Sequence, residues 1–236
     1  MKPISLKRIL AKAAGLVFPD ICPVCGRTLV EGETTMCLHC RSALPTVNCR
    51  PFDDNSLHRH LASTVPIEQA ASMFVYRRGD IYVKLIHAAK YNGRPLLARQ
   101  LAREFATQLS RQNFFATIDT IVPVPLHWWK QIRRGYNQSE AIARGIADVT
   151  GLPVFSDVLS AASHSSQTRH SRSERWQNAS AVYVCNRQLP PSANHILLVD
   201  DVITTGATML ACCHALHNRY PYLQISILSL AATSSI

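Results

Sequence analysis

Residues 197–209, Leu-Leu-Val-Asp-Asp-Val-Ile-Thr-Thr-Gly-Ala-Thr-Met, constrain the fold of this chain more than any other stretch. Ile196 to Val199 is short, apolar and rich in β-branched side chains, which suits a parallel-sheet strand buried on both faces. Ligands of such sheets gather at the carboxyl ends of strands, where Asp200 and Asp201 are expected. Gly206 allows a tight turn, and Ala207 to Asn218 then has helical spacing, with Met209, Cys213, Leu216 and Tyr220 on one stripe.

A small-residue loop that opens a helix turns backbone N–H groups toward an anion, and the hydroxyls of Thr204, Thr205 and Thr208 add donors. Gly206 and Ala207 keep such a loop uncrowded. Paired carboxylates accept hydrogen bonds from vicinal hydroxyls or help hold a hard cation. A phosphate beside a diol is a ribose 5-phosphate. The plainer alternative is an acidic strand end followed by a threonine-capped helix. The segment resembles the phosphoribosyl pyrophosphate signature of type I phosphoribosyltransferases. That resemblance implies Asp200 and Asp201 as the catalytic pair on the ribose hydroxyls and Thr204 to Thr208 as the 5-phosphate loop.

A second block runs from Ile121 to Gln138. Thr120 to Val124 reads as a strand that Pro123 and Pro125 bring to an extended exit. Lys130, Arg133 and Arg134 then precede Gly135, with amides at Asn137 and Gln138. Guanidinium forks match phosphate oxygens, so a basic loop at a strand end suits a pyrophosphate. The alternative places Trp128 and Trp129 in the core and the basic groups on a solvated surface. A helix follows, with Ile142, Ile146 and Val149 on one face and Gly151 at its end. The third block, Ser165 to Asn178, is dense in Arg, Ser, Gln and Asn. Beside the first two blocks it is expected to be a lid, with Gln167, Arg172 and Arg175 facing the ligand; alone it would read as a solvated loop.

Cys22-Pro-Val-Cys25 and Cys37-Leu-His-Cys40 form two C-x-x-C knuckles. Two sulfurs from each tight turn complete a tetrahedron around zinc, a closed set that folds a module and leaves no catalytic position open. Disulfides and a thioredoxin-like redox pair are the alternatives. His39 and Cys49 stand near enough to replace a ligand, whereas Cys185, Cys212 and Cys213 lack metal spacing and read as core.

At 236 residues the chain has room for one α/β domain and a small appendage. Its formal charge of +10 favours phosphates, pyrophosphates or nucleic acid as ligands. No apolar stretch reaches the length of a membrane span. Lys12 interrupts the apolar part of residues 7–19, so an amphipathic first helix and a cytoplasmic location are expected. The expected division is a zinc-binding module at 1–50, a linker at 51–66 and an α/β domain at 67–236. Within the linker, between Pro51 and Pro66, His58 and His60 are expected as exposed imidazoles. Beyond it a strand at Ser72 to Tyr76, a helix at Ile81 to Tyr91 capped by Asp80, and a helix carrying Leu97, Leu101, Phe105 and Leu109 complete the scaffold.

Together these features resemble the ComF-type competence and DNA-utilisation proteins, GntX-like members included. The resemblance rests on the double knuckle, on Leu85-Ile86 to Lys90-Tyr91-Asn92-Gly93, and on Pro123-Val124-Pro125-Leu126. It extends to Arg134-Gly135-Tyr136-Asn137-Gln138, to Gln167 with Glu174, Arg175 and Asn178, and to Asp200-Asp201 through Thr208. It implies a type I phosphoribosyltransferase-like parallel sheet flanked by helices, with a small N-terminal four-cysteine zinc module. Structural Zn²⁺, Mg²⁺ accompanying phosphoribosyl pyrophosphate or a related nucleotide, and a role with DNA or DNA-uptake machinery are further implications. Two departures stand out. Leu159 to His164 lacks the arginines the family carries ahead of the lid. Thr204 occupies the position where purine-salvage members hold a carboxylate base, and a neutral hydroxyl is a very weak base.

Overall fold

The computed structural model describes residues 20–77, 79–91, 95–161 and 183–234. The chain divides into two compact units, Met1–Leu44 and Pro45–Ile236. The first helix expected near the amino terminus, and the lid residues Gln167, Arg172 and Arg175, lie outside the described residues.

In the first unit, Ile21 bridges Thr28 across a tight antiparallel turn that holds Cys22 and Cys25. Cys37 caps the short helix α1 (Leu38–Ser42), its sulfur accepting from the Cys40 N–H. Glu33 ties the intervening loop together by accepting from the N–H groups of Val30 and Leu38 and pairing with Arg27.

The second unit is built on a parallel sheet of β1 (Ala70–Tyr76), β2 (Thr120–Pro123), β5 (His195–Ile203) and β6 (Gln224–Thr233), in spatial order β1-β6-β5-β2. Ile196, Leu197, Leu198 and Val199 are all fully buried, so the apolar run has no solvent face. Burial of each such side chain stabilises by roughly 1.5–3 kcal/mol. The helices are α2 (Ser56–Ala62), α3 (Val83–Tyr91), α4 (Pro95–Ser110), α5 (Trp128–Arg134), α6 (Gln138–Thr150) and α7 (Ala207–Arg219). Helices α4 and α6 cross where Gly145 meets Arg99, whose carbonyl leaves no room for a Cβ there. Strands β3 (Leu159–Ala161) and β4 (Tyr183–Cys185) pair antiparallel on either side of residues 162–182.

Three elements differ from the sequence expectation. Strand β5 does not stop before the carboxylates; it runs through Asp200 and Asp201 because β6 continues the ladder to Ile203↔Ala232. The segment Leu152 to Phe155, which reads as a strand from its sequence, contributes only a parallel bridge from Val154 to Ile121. The stretch 51–66 is not a bare linker: it carries α2, with Leu57 and Leu61 buried in the core of the second unit. Two apolar residues four apart are too few for a visible period. What holds α2 is Asn55, which caps it by accepting from the His58 N–H and donates to the carbonyls of Cys49 and Ala70. Cys49 belongs to the same framework, its thiol donating to the Ser72 carbonyl.

Candidate phosphate and ribose site

The bridge from Val154 lies outside β2, whereas the chain passes from β5 inward to β6. Successive connections therefore leave in opposite directions, and a crevice opens between the carboxyl ends of β2 and β5. The ladder between these strands ends at Pro123↔Val199, so Asp200 and Asp201 face the residues that follow β2. Both sequence blocks expected to act on one ligand thus meet at one switch point.

Asp200 Oδ1 accepts from Ser139 Oγ at 2.9 Å and from the Asp201 N–H at 2.8 Å. Burial, with the neighbouring Asp201 carboxylate adding, pushes the Asp200 carboxyl up to about 7, although both hydrogen bonds and Lys90 act against it. Lys90, at the end of α3, places Nζ 3.2 Å from Asp201 Oδ2. Lys90 thus partly neutralises the acidic pair at the strand end.

The loop after β5 exposes Thr204, Thr205 and Ala207, buries Gly206 and half-buries Thr208. Gly206 caps α7 in the left-handed region at φ 76°, and a Cβ there would lie 2.6 Å from Leu61 Cδ2. The Thr204 carbonyl accepts from Thr233 Oγ1 at 2.9 Å, and the Thr205 carbonyl meets His60 Nε2 at 3.1 Å. Burial pushes the Tyr183 hydroxyl up to about 12, Cys212 and Asp200 adding to the shift.

After β2, Asn137 caps α6 by accepting from the Ser139 N–H and anchors the loop by donating to the Val124 carbonyl. Gln138 is 2% exposed, accepts from Arg134 at 2.9 Å and reaches the Lys90 carbonyl at 3.4 Å. Both amides, expected at the ligand, also make contacts within the chain: Gln138 bonds Lys90 and Arg134, and Asn137 bonds Val124 and Ser139. Tyr136 donates to the Ala89 carbonyl and ties the same two segments. Arg133 is exposed, as is Trp129 at 45%, so Trp129 is not core.

Sequence reasoning passed over Lys90, Ser139, His60 and Thr233. Lys90 stood in a recognisable segment assigned to scaffold, and Ser139 directly follows the two amides. His60 is 145 residues from Thr205, a distance no local pattern spans. A concavity of about 770 Å³ lies at the amino ends of the strands beside His195 and Gln224. The loop at 204–208 lines a cleft of only about 30 Å³. Chemistry outweighs volume here, because the larger space lacks the paired carboxylates and the helix-opening loop.

In the first unit, the sulfurs of Cys22, Cys25, Cys37 and Cys40 lie within 4.8 Å of one another, and the Cys25–Cys37 pair is 3.7 Å apart. A tetrahedron with Zn–S bonds of about 2.3 Å has sulfurs about 3.8 Å apart, so this cluster can hold a metal ion such as zinc. Burial raises the Cys22 thiol, but the N–H groups of Cys37, Cys25 and Val24 outweigh it and bring the group down to about 6. Burial and hydrogen bonds to the other sulfurs push Cys40 up. No helix among the described residues is long and apolar enough to cross a membrane.

The family model for the phosphoribosyl transferase domain matches residues 95–235. The chain is similar to the DNA utilization protein YhgH of Salmonella typhimurium, at 28% identity over 194 residues and 80% of each chain. It is 26% identical over 205 residues to the protein of that name from Escherichia coli, covering 82% of this chain and 89% of that one. Competence protein F of Haemophilus influenzae is 29% identical over 132 residues, 53% of this chain and 57% of that protein. With its acidic strand end, helix-opening loop and switch-point crevice, the chain belongs to the phosphoribosyl transferase domain family, in its ComF-like group.

Proposed function

We propose that the crevice between β2 and β5 binds phosphoribosyl pyrophosphate or a related nucleotide. The observation that carries this reading is the meeting, at one switch point, of the Asp200–Asp201 pair with the loop at 204–208. In it, Asp200 and Asp201 accept from the ribose 2′ and 3′ hydroxyls, and the loop takes the 5-phosphate. Arg133 and Arg134 steady the pyrophosphate. Mg²⁺, when bound, neutralises pyrophosphate charge and favours its departure. An acceptor nitrogen attacks the ribose C1, the C1–O bond breaks with its electron pair leaving on pyrophosphate, and anchoring of the remote phosphate lowers the entropic barrier. Zinc in the four-cysteine cluster is structural, and the protein acts in the cytoplasm. The relatives' printed names support a place in the utilisation or uptake of DNA and its nucleotides.

Thr204 favours a second reading. A neutral hydroxyl at this exposed loop position abstracts no ring proton, so the pocket suits an acceptor that needs no base, or a sensor of the same metabolite that touches DNA or a protein partner. Calorimetric titration of phosphoribosyl pyrophosphate with Mg²⁺ into wild type and an Asp200→Ala, Asp201→Ala variant separates the cases. Wild-type binding lost in the variant is expected, and absence of wild-type binding sinks both readings. Pyrophosphate release against a panel of bases indicates the enzyme; binding without release across the panel indicates the sensor.

A further inference from the structure

We infer that His60 is a positioning residue for the phosphate loop, an inference that rests on the 5-phosphate reading above. A trans peptide points its carbonyl and the following N–H in opposite directions. With the Thr204 carbonyl held by Thr233 and the Thr205 carbonyl held by His60, the N–H groups of Thr205 and Gly206 are turned away from both anchors. Each N–H is thereby held opposite its own anchor, and fixing both before binding removes an ordering cost at the moment an anion arrives.

The anchor is rigid on its own side. Helix α2 is capped by Asn55, whose amide also bonds the Cys49 and Ala70 carbonyls, and Leu61 is fully buried against Gly206. His60, one residue before Leu61, is itself exposed, so its imidazole contributes direction to the loop and little to the core. Its Nε2 must carry the proton, because the Thr205 carbonyl can only accept. Glutamine places an N–H donor the same number of bonds from the backbone; alanine places none.

The test titrates ribose 5-phosphate, and separately pyrophosphate with Mg²⁺, into wild type, His60→Ala and His60→Gln, with melting temperatures recorded for all three. Loss of one net hydrogen bond changes an equilibrium by roughly three- to tenfold, so His60→Ala is expected to weaken ribose 5-phosphate by about that factor. Pyrophosphate binding should stay at the wild-type value, the melting temperature should fall by no more than about 2–4 °C, and His60→Gln should recover most of the lost affinity. Unchanged ribose 5-phosphate binding in His60→Ala overturns the inference, as does equal loss for both ligands or a Gln variant no better than Ala. Failure of wild type to bind ribose 5-phosphate instead overturns the site reading on which the inference stands.

Discussion

Lys90 Nζ stands 3.2 Å from Asp201 Oδ2 with the two side chains only 21% and 16% exposed, so a scaffold helix delivers the cation that balances the acidic pair. The pairing depends on Gln138 and Tyr136, which bond the carbonyls of Lys90 and Ala89 and hold the end of α3 over the crevice. Removing a partly buried partner leaves the other charge uncompensated. Lys90→Met should therefore cost about 1–2 kcal/mol in urea denaturation at neutral pH. Combined with Asp201→Asn, the loss should be smaller than the sum of the single changes. Additive losses would show that the ion pair contributes nothing.

Asp200 yields a pH prediction. Its folded-state carboxyl is raised from 3.8 to about 7, so the folded chain holds this proton more tightly than the unfolded chain. The resulting stabilisation is fully present below about pH 4 and is lost as pH rises through about 7. Asp200→Asn keeps a neutral group that still accepts from Ser139 and the Asp201 N–H. Its stability advantage over wild type should be absent near pH 4 and grow to on the order of 1–3 kcal/mol by pH 8, while ligand binding is lost. Thermal melts across that range check the sign; an advantage that shrinks as pH rises contradicts it.

Gly206 combines a left-handed backbone with contact to Leu61. Gly206→Ala should destabilise by about 1–3 kcal/mol and weaken ribose 5-phosphate, because the new methyl group must displace either α2 or the loop. Denaturation midpoints and calorimetry on the same preparation measure both effects. A variant as stable as wild type would mean that the loop tolerates a side chain against α2.

Purified protein should carry close to one zinc per chain, and chelation should expose the segment around Cys22 to Cys40 to protease while residues 45–236 keep their cooperative melt. Metal analysis well below one per chain refutes the zinc assignment.

Local chemistry is what the sequence displays. The knuckles were legible because metal-ligand spacing is short, and the sulfurs of Cys22, Cys25, Cys37 and Cys40 do converge. Helix α7 was legible from its stripe, since Met209, Cys213 and Leu216 are all buried. Asp80 accepts from the Tyr82 N–H in the turn that leads into the helix, but the regular helix begins two residues later than expected, at Val83, so Asp80 does not cap it directly.

By itself, then, the sequence determined the parallel sheet, the small-residue loop at 204–208 with the acidic pair before it, and the four-cysteine cluster, because each is encoded in residues a few positions apart. Tertiary structure alone decided that the β2 and β5 ends share a crevice, that Lys90 faces Asp201 and that His60 holds Thr205. Those relations join residues about eighty to 145 positions apart, and strand order and helix docking, which depend on burial summed over the whole sheet, bring them together.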